Sequence, residues 1–287
     1  MTNKPLYGRT ANVLIGENES EAVLIEGFRM TFTIRKTDSS DPNTCILNIY
    51  NLNVNTRNKL SQLDDFAFLR AGYTEADNVE VIFVGNITNI TTLHESPEII
   101  TQVTISDGEK VLNSKKVAVS YNAGAKLEQV LNDVVKKLDL PVKVDIKKLG
   151  INKIFNTGFS HTGTVKEALK RLTEYAGLDW SVQNNEIKFT LVGKTDGSRL
   201  VSLTPESGLI KVPEKQKIKD NRRASNQELD GWKVTSLLQP KAEPGGEIAL
   251  SSSITGNNKV FKIIDVQHDA DTFEGNFQSV LSVVEVK

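Results

Sequence analysis

"CILNIYNLNVNTRNKL", residues 45–60, changes its period halfway through. Cys45, Leu47 and Ile49 fall on one side, with Asn48 and Tyr50 on the other, which is the two-residue repeat of a strand with one buried face. After Asn51-Leu52-Asn53 the pattern becomes that of a short polar helix, expected over 55–63 and capped by Asn55 or Thr56. No catalytic residue type sits at the change, so its reason is architectural. A long barrel strand ends at the hinge, and the helix plugs or flanks the barrel and reverses the chain. The Asn51 side chain is expected to satisfy backbone groups at the corner. Leu52 and Leu60 are expected to pin the helix to the core.

Upstream, "GFRMTFTIRK" alternates the same way. Phe28, Met30, Phe32 and Ile34 take the core side, while Arg29, Thr31 and Thr33 take the other with Asn48. "TDSSDPNT" supplies the turn between the two runs. Downstream, "FAFLRAGY", "NVEVIFVGNITNITTLH" and "EIITQVTISDG" are further β-rich runs, and Gly85 inside the second marks a bulge or sharp coil. Residues 1–121 therefore read as a closed or nearly closed barrel with one short helix.

Residues 122–198 change class. "AKLEQVLNDVVKKLDL" and "TVKEALKRLTEYAGLDW" carry apolar residues at helical spacing. Thr164 with Glu167 forms a capping-box signature, and Gly177 fits the helix stop. Each helix leads into a strand, "VKVDI" and "WSVQNNEIKFTLVG", with a turn at Asn184-Asn185. Residues 199–287 return to β, with "LVSL", a long polar connection, and then "GWKVTSLL", "GEIALSSSI", "NKVFKIIDVQHDA" and "GNFQSVLSVVEV". The fold class is mainly β, two β-barrels flanking a small α+β insert.

The chain has 287 residues and a net charge of −1, with 38% apolar, 25% charged and 6% aromatic residues. Near-neutrality argues against an overall electrostatic grip on nucleic acid or anionic membrane. No apolar run is long enough to span a bilayer, and "MTNKPLYGRT" lacks the apolar core of a signal peptide. The chain is expected to stay in a cytoplasm or to leave inside a larger particle. A single cysteine, Cys45, excludes an internal disulfide and reads as a small buried hydrophobe.

The search for chemistry yields no site: no catalytic residues, no cofactor, no metal. His94, His161 and His268 lie far apart, without the spacing of a metal site or a triad. H-E-x-x-H, G-x-S-x-G and G-x-G-x-x-G are all absent. "HDADTFEG", with Asp269, Asp271 and Glu274, holds only a fragment of a calcium loop and reads as a charged hairpin turn. The connection from Lys211 to Arg223 is basic and reads as a solvated inter-strand loop. Its alternatives are an arm gripping phosphates without reading sequence, or a loop that orders against a neighbouring subunit.

"NIYNLNVNTRNKL" resembles the "IYNLS-x-x-TR-x-x-I/L" phrase of small baseplate hub proteins from contractile-tailed phages. "GWKVTSLLQPKAEPGGEIALSS" and "VFKIIDVQHDADTFEGNFQSVLSVVE" resemble that family's second barrel, where "S-L-L-x-P-x-x-x-P-G" precedes two long strands joined by an "H-x-x-D-T" turn. The basic connection is longer here than in the family pattern. The resemblance implies two tail-tube-like barrels per chain and a homotrimer with a pseudo-sixfold surface. Such a ring adapts a hexameric tail tube above to a trimeric central spike below, with other baseplate proteins around it and DNA only in transit. It implies a virion structural protein assembled in the host cytoplasm, neither an enzyme nor inserted in a membrane. Arg29, Thr31, Thr33 and Asn48 then become lumen or subunit-interface candidates, and Asn51, Leu52 and Leu60 the fold-signature hinge. The competing classes are a receptor- or glycan-binding β-protein of the tail tip, marked by sugar affinity without oligomers, and a cell-wall hydrolase, marked by clearing of bacterial walls.

Overall fold

The computed structural model describes residues 6–16, 22–60, 66–142, 149–198, 202–219 and 228–286. Strands β1 (Arg9–Gly16) and β2 (Val23–Ile25) precede the hairpin of β3 (Met30–Thr37) and β4 (Asn43–Tyr50). Helix α1 (Val54–Lys59) follows, then β5 (Phe66–Tyr73), β6 (Glu80–Glu95) and β7 (Glu98–Asp107). Met30, Phe32, Ile34, Cys45, Leu47 and Ile49 are all buried in one core, as their alternation requires. Each of these except the smaller Cys45 contributes roughly 1.5–3 kcal/mol by leaving water. Gly85 sits where β6 passes close to β7, and a Cβ there would lie 2.5 Å from the Ser106 carbonyl oxygen. The bulge itself falls just beyond, between Ile87 and Asn89.

Helix α1 is shorter than expected, and its cap is Asn53, whose side chain accepts from the Thr56 amide at 2.9 Å. Asn53 is extended, at φ −67° and ψ 157°, the backbone an N-cap needs. The cap therefore falls before Asn55 and Thr56, which lie within the helix. Residues 61–63 of the expected helix lie outside the described residues.

The insert comprises α2 (Glu109–Ser114), β8 (Lys116–Tyr121), α3 (Leu127–Val135), β9 (Phe159–Thr164), α4 (Val165–Ala176), β10 (Leu178–Gln183) and β11 (Glu186–Leu191). Its separate core draws on Leu112 and Val117 as well as on both amphipathic helices. The Thr164–Glu167 capping box is present in both directions, and Gly177 ends α4 at φ 77°. "VKVDI" falls almost wholly outside the described residues.

The C-terminal strands are β12 (Glu214–Lys219), β13 (Glu228–Leu237), β14 (Glu247–Ser252), β15 (Gly256–Asp271) and β16 (Phe277–Glu285). "LVSL" is described only at Ser202 and Leu203, the latter bridging Leu250. The polar connection was expected to be a loop, yet its residues 214–219 pair with β13. Its lysines are compatible with a strand because it is an edge. Lys217 meets Asp230 at 2.7 Å across the pair, and only Ile218 is buried. Residues 220–223 of the connection lie outside the described residues.

The two β-regions are not closed off from each other. Strands run β12-β13-β16-β15-β3-β4-β7-β6-β5-β1-β2 in one 12-stranded sheet, with β14 added on β15. Among the described residues neither region closes on itself as a barrel, because β3 pairs with β15. The pairing pattern is also repeated. β3–β4, β4–β7, β7–β6 and β6–β5 have counterparts in β12–β13, β13–β16, β16–β15 and β15–β14, all antiparallel.

A buried polar junction locks the insert to both regions. The β10–β11 turn, Asn184-Asn185, has φ of 54° and 63°, as a two-residue hairpin loop prefers. Lys36 Nζ donates to Asn184 Oδ1 at 3.0 Å, and Asn184 Nδ2 donates to Glu243 Oε1 at 2.7 Å. Asn43 Nδ2 donates to the Val182 carbonyl at 2.7 Å, and the Asn185 amide donates to Asp107 Oδ1 at 2.7 Å. Lys188 pairs with Asp196 and donates to the Pro244 carbonyl at 3.1 Å. Lys262 lies 2.9 Å from Asp38 Oδ2, an ion pair off the line of a hydrogen bond.

Candidate functional site

Residues that alternate away from the first core form one largely polar surface on the sheet, interrupted by the exposed Ile46 opposite Thr33. Register places Asp271, Thr31, Asn48, Gln102 and Thr91 in a row across β15, β3, β4, β7 and β6. Asn48 Nδ2 donates to Thr31 Oγ1 at 3.1 Å, and Gln102 Nε2 donates to Asn48 Oδ1 at 3.0 Å. In the next row the Thr33 hydroxyl donates to Asp269 Oδ1 at 3.0 Å, and Gln267 Nε2 donates to Asp269 Oδ2 at 2.7 Å. The structure thus brings together Thr31, Thr33 and Asn48 and adds Gln102, Gln267, Asp269 and Asp271. Gln102 was legible from the alternation of "EIITQVTISDG". The acids of "HDADTFEG" were not, because their partners on β3 lie at the far end of the chain. The surface continues across the other half as a groove lined by Arg35, Thr44, Gln216, Lys233, Gln267 and Ser282.

Arg29 differs from the other three candidates. Its guanidinium donates to Asp271 Oδ2 at 2.8 Å and to Glu274 Oε1 at 3.1 Å, and stacks 4.7 Å from the Tyr50 ring centre. It clamps the β15–β16 turn onto the strand end instead of standing free on the surface. Burial by itself would raise the Asp271 carboxyl. The Arg29 bond and the amides of Phe273 and Glu274 hold it below its usual value. "HDADTFEG" is accordingly a turn closed by its own acid, with the Phe273 amide donating to Asp271 Oδ1 at 2.8 Å.

At the hinge, Asn51 is left-handed at φ 59°. Its amide donates to the Ile99 carbonyl at 2.7 Å, and its side-chain oxygen accepts from the Ile99 amide at 3.0 Å. The side chain thus replaces a strand partner at the point where β4 leaves the sheet. Leu52 and Leu60 are buried in the first core. Asn51→Ala is expected to cost about 1–2 kcal/mol through the lost bond and the left-handed backbone. Asn51→Gly should cost less, since glycine enters that region freely. Chemical denaturation reads both, and an alanine variant with an unchanged midpoint would refute this role.

No group of His, Cys, Asp and Glu among the described residues is arranged to hold a metal ion. His94 is exposed on β6, and His161 sits beside Arg171. His268 is fully buried against Ser279 at 2.8 Å, and burial holds its ring well below the ordinary value, hence neutral. No helix among the described residues is long and apolar enough to cross a membrane.

Residues 11–278 match the family model described as baseplate hub gp41. Among solved structures, a 43 kDa tail protein of prophage MuSo2 from Shewanella oneidensis aligns with a TM-score of 0.65 at 11% identity, covering 96% of this chain and 97% of that one. A tail protein of Neisseria meningitidis MC58 aligns at 0.64 and 10% identity, covering 96% of each. An E. coli type VI secretion component, the c3393 protein, aligns at 0.57 and 14% identity, covering 91% of this chain and 74% of that one. At these identities the likeness is one of fold. No curated protein sequence matches the chain significantly.

Proposed function

The chain belongs to the baseplate hub gp41 family, and from that premise we propose that three copies close into a ring adapting a hexameric tail tube to a trimeric central spike. The two β-regions, β1 to β7 and β12 to β16, take the place of the tube-like units, with the insert, which takes in α2 and β8 from the expected first unit 1–121, on the outside. The polar face is the wall of the channel. Three chains with two such units each present a pseudo-sixfold surface to the tube and a threefold one to the spike.

The observation that carries this reading is the sheet continuing from one β-region into the other with a single polar face. Thr31, Thr33 and Asn48 on one half adjoin Gln267, Asp269 and Lys233 on the other. Its charges are mixed: Arg35 and Lys233 stand against Asp265, Asp269 and Asp271. A wall without a basic stripe releases few counterions from passing DNA and does not retain it. DNA in transit through a contractile tail is the polymer such a wall suits. Assembly would take place in the host cytoplasm, beside other baseplate proteins, before the virion leaves.

Mass measurement in solution, with and without the tube and spike proteins of the same particle, tests the ring. A trimer, alone or once those partners are added, is the expected result. A chain that stays monomeric and ignores both would overturn it.

A further inference from the structure

The repeated pairing pattern reaches down to its irregularities. β6 and β15 are both 16 residues long. Against their hairpin partners, β6 shifts register between Ile87 and Asn89, and β15 between Ile263 and Asp265, the same distance from each strand's start. The shift between Leu69 and Arg70 on β5 has its counterpart between Leu250 and Ser252 on β14. Whole rows therefore correspond. Arg35–Thr44–Ser106–Asn86 in the first unit matches Gln216–Gly231–Val284–Lys262 in the second.

Apart from β1 and β2, which extend the first unit beyond β5, the units differ at one pair of edges. β15 carries β16 along one edge, and β14 then β3 along the other, with β3 covering residues 265–271. β6 carries β7 along one edge, but β5 on the other stops at Asn86. Among the described residues nothing pairs with that edge of β6 at 89–95. β12, the counterpart of β3, likewise has β13 on one edge and, among the described residues, no strand on the other. The chain thus contains one completed seam and both halves of a second, one on β12 at the end of the sheet and one on β6 past the point where β5 stops. Two different edges joined between copies would make a heterologous contact.

We propose that residues 89–95 of β6 pair antiparallel with β12 of a second copy of this chain, in the register that sets Thr91 opposite Gln216. This rests on the ring reading and supplies its subunit contact. The register follows from the internal seam. Gln267 lies opposite Arg35 there, Gln267 corresponds to Thr91, and Arg35 corresponds to Gln216. Thr91 and Gln216 both project on the polar face, so the register continues that face from chain to chain. A slip by one residue would turn every side chain over. On the opposite face of β12, Lys215 and Lys217 are engaged by Trp232 and Asp230. Those lysines also discourage pairing with unrelated edges.

Cysteine cross-linking tests the seam. Directly opposed residues of an antiparallel pair have Cβ atoms about 4.5–5.5 Å apart, close enough for a disulfide after small adjustment. The native Cys45 does not compete, because it is fully buried and burial pushes its thiol far up. The full chain carrying Thr91→Cys and Gln216→Cys is to be oxidised alone and with the tube and spike proteins. Covalent dimers and trimers on a non-reducing gel are expected, with the disulfide mapped to the two introduced sulfurs. Thr92→Cys with Gln216→Cys places the sulfurs on opposite faces, and its yield should fall at least about tenfold. A trimer by mass that does not cross-link, or that cross-links equally in both variants, overturns the seam and leaves the ring standing. No species beyond the monomer under any of these conditions overturns both.

Discussion

Leu52→Asp is expected to remove nearly all soluble, folded protein. Leu52 is 3% exposed and Leu60 1% exposed, and both sit in the first core beneath α1. Deleting a buried leucine side chain costs about 2–5 kcal/mol from lost transfer and the cavity left behind. The carboxylate adds a charge to that buried core, which is costly unless it is paired and hydrogen-bonded. Together these approach the whole stability of an ordinary domain, about 5–15 kcal/mol. Leu52→Met keeps volume and apolarity and should cost under about 1.5 kcal/mol. Soluble yield and urea midpoints of the two variants separate a packing role from general intolerance at the hinge. An aspartate variant that folds near the wild-type midpoint and still forms rings would refute the hinge as a core anchor.

What could be read in advance follows from how far each signal reaches along the chain. Period-two alternation is local, so Met30, Phe32 and Ile34 could be assigned to the core and Thr31, Thr33 and Asn48 to the opposite face. The Thr164–Glu167 box spans one helical turn, and Asn184-Asn185 one hairpin, so both were legible. The β15–β3 pairing joins Asp271 to Thr31 across almost the whole chain, and no local pattern announces it. Arg29 consequently looked free, though its partners Asp271 and Glu274 were already in view as a separate acidic turn. β12 is not legible locally, for a different reason. A strand with lysines on one face and a single buried Ile218 has little intrinsic β-propensity, and its pairing with β13 decides it. The alternation did contain one unused warning. Lys36 falls on the core side after Met30, Phe32 and Ile34, and the structure buries it as that parity demands.

That buried lysine belongs to the junction holding the insert, where the second large effect is expected. Lys188→Met should cost about 3–5 kcal/mol, because it leaves Asp196 buried without its cation. The Lys188 and Asp196 side chains are 1% and 3% exposed, so water cannot take over the lost partner. Burial alone would raise the Asp196 carboxyl, but Lys188 and then Ser198 bring it below its ordinary value. A lowered folded-state value gives stability that is present above the unfolded carboxylate range and lost as pH falls through the folded value. The gap between wild type and Lys188→Met should therefore be widest near neutrality and shrink in acid. Asp107, in the same junction, behaves oppositely. Burial outweighs its bonds to Asn185 and Asn43 and pushes it up to about 6. Its contribution is present in acid and fades as pH rises through that value, which opposes the Asp196 trend in the stability of each chain but cancels from the gap between them. The double variant Lys188→Met/Asp196→Asn isolates the pair. With the charge gone from both sides, it should lose less than the sum of the single changes, by about 1–3 kcal/mol. Urea denaturation of the four chains at neutral and acid pH measures the cycle. Additive losses, or a Lys188→Met cost that does not shrink in acid, would mean that Lys188 serves the junction through packing and its bond to the Pro244 carbonyl, and not through this ion pair.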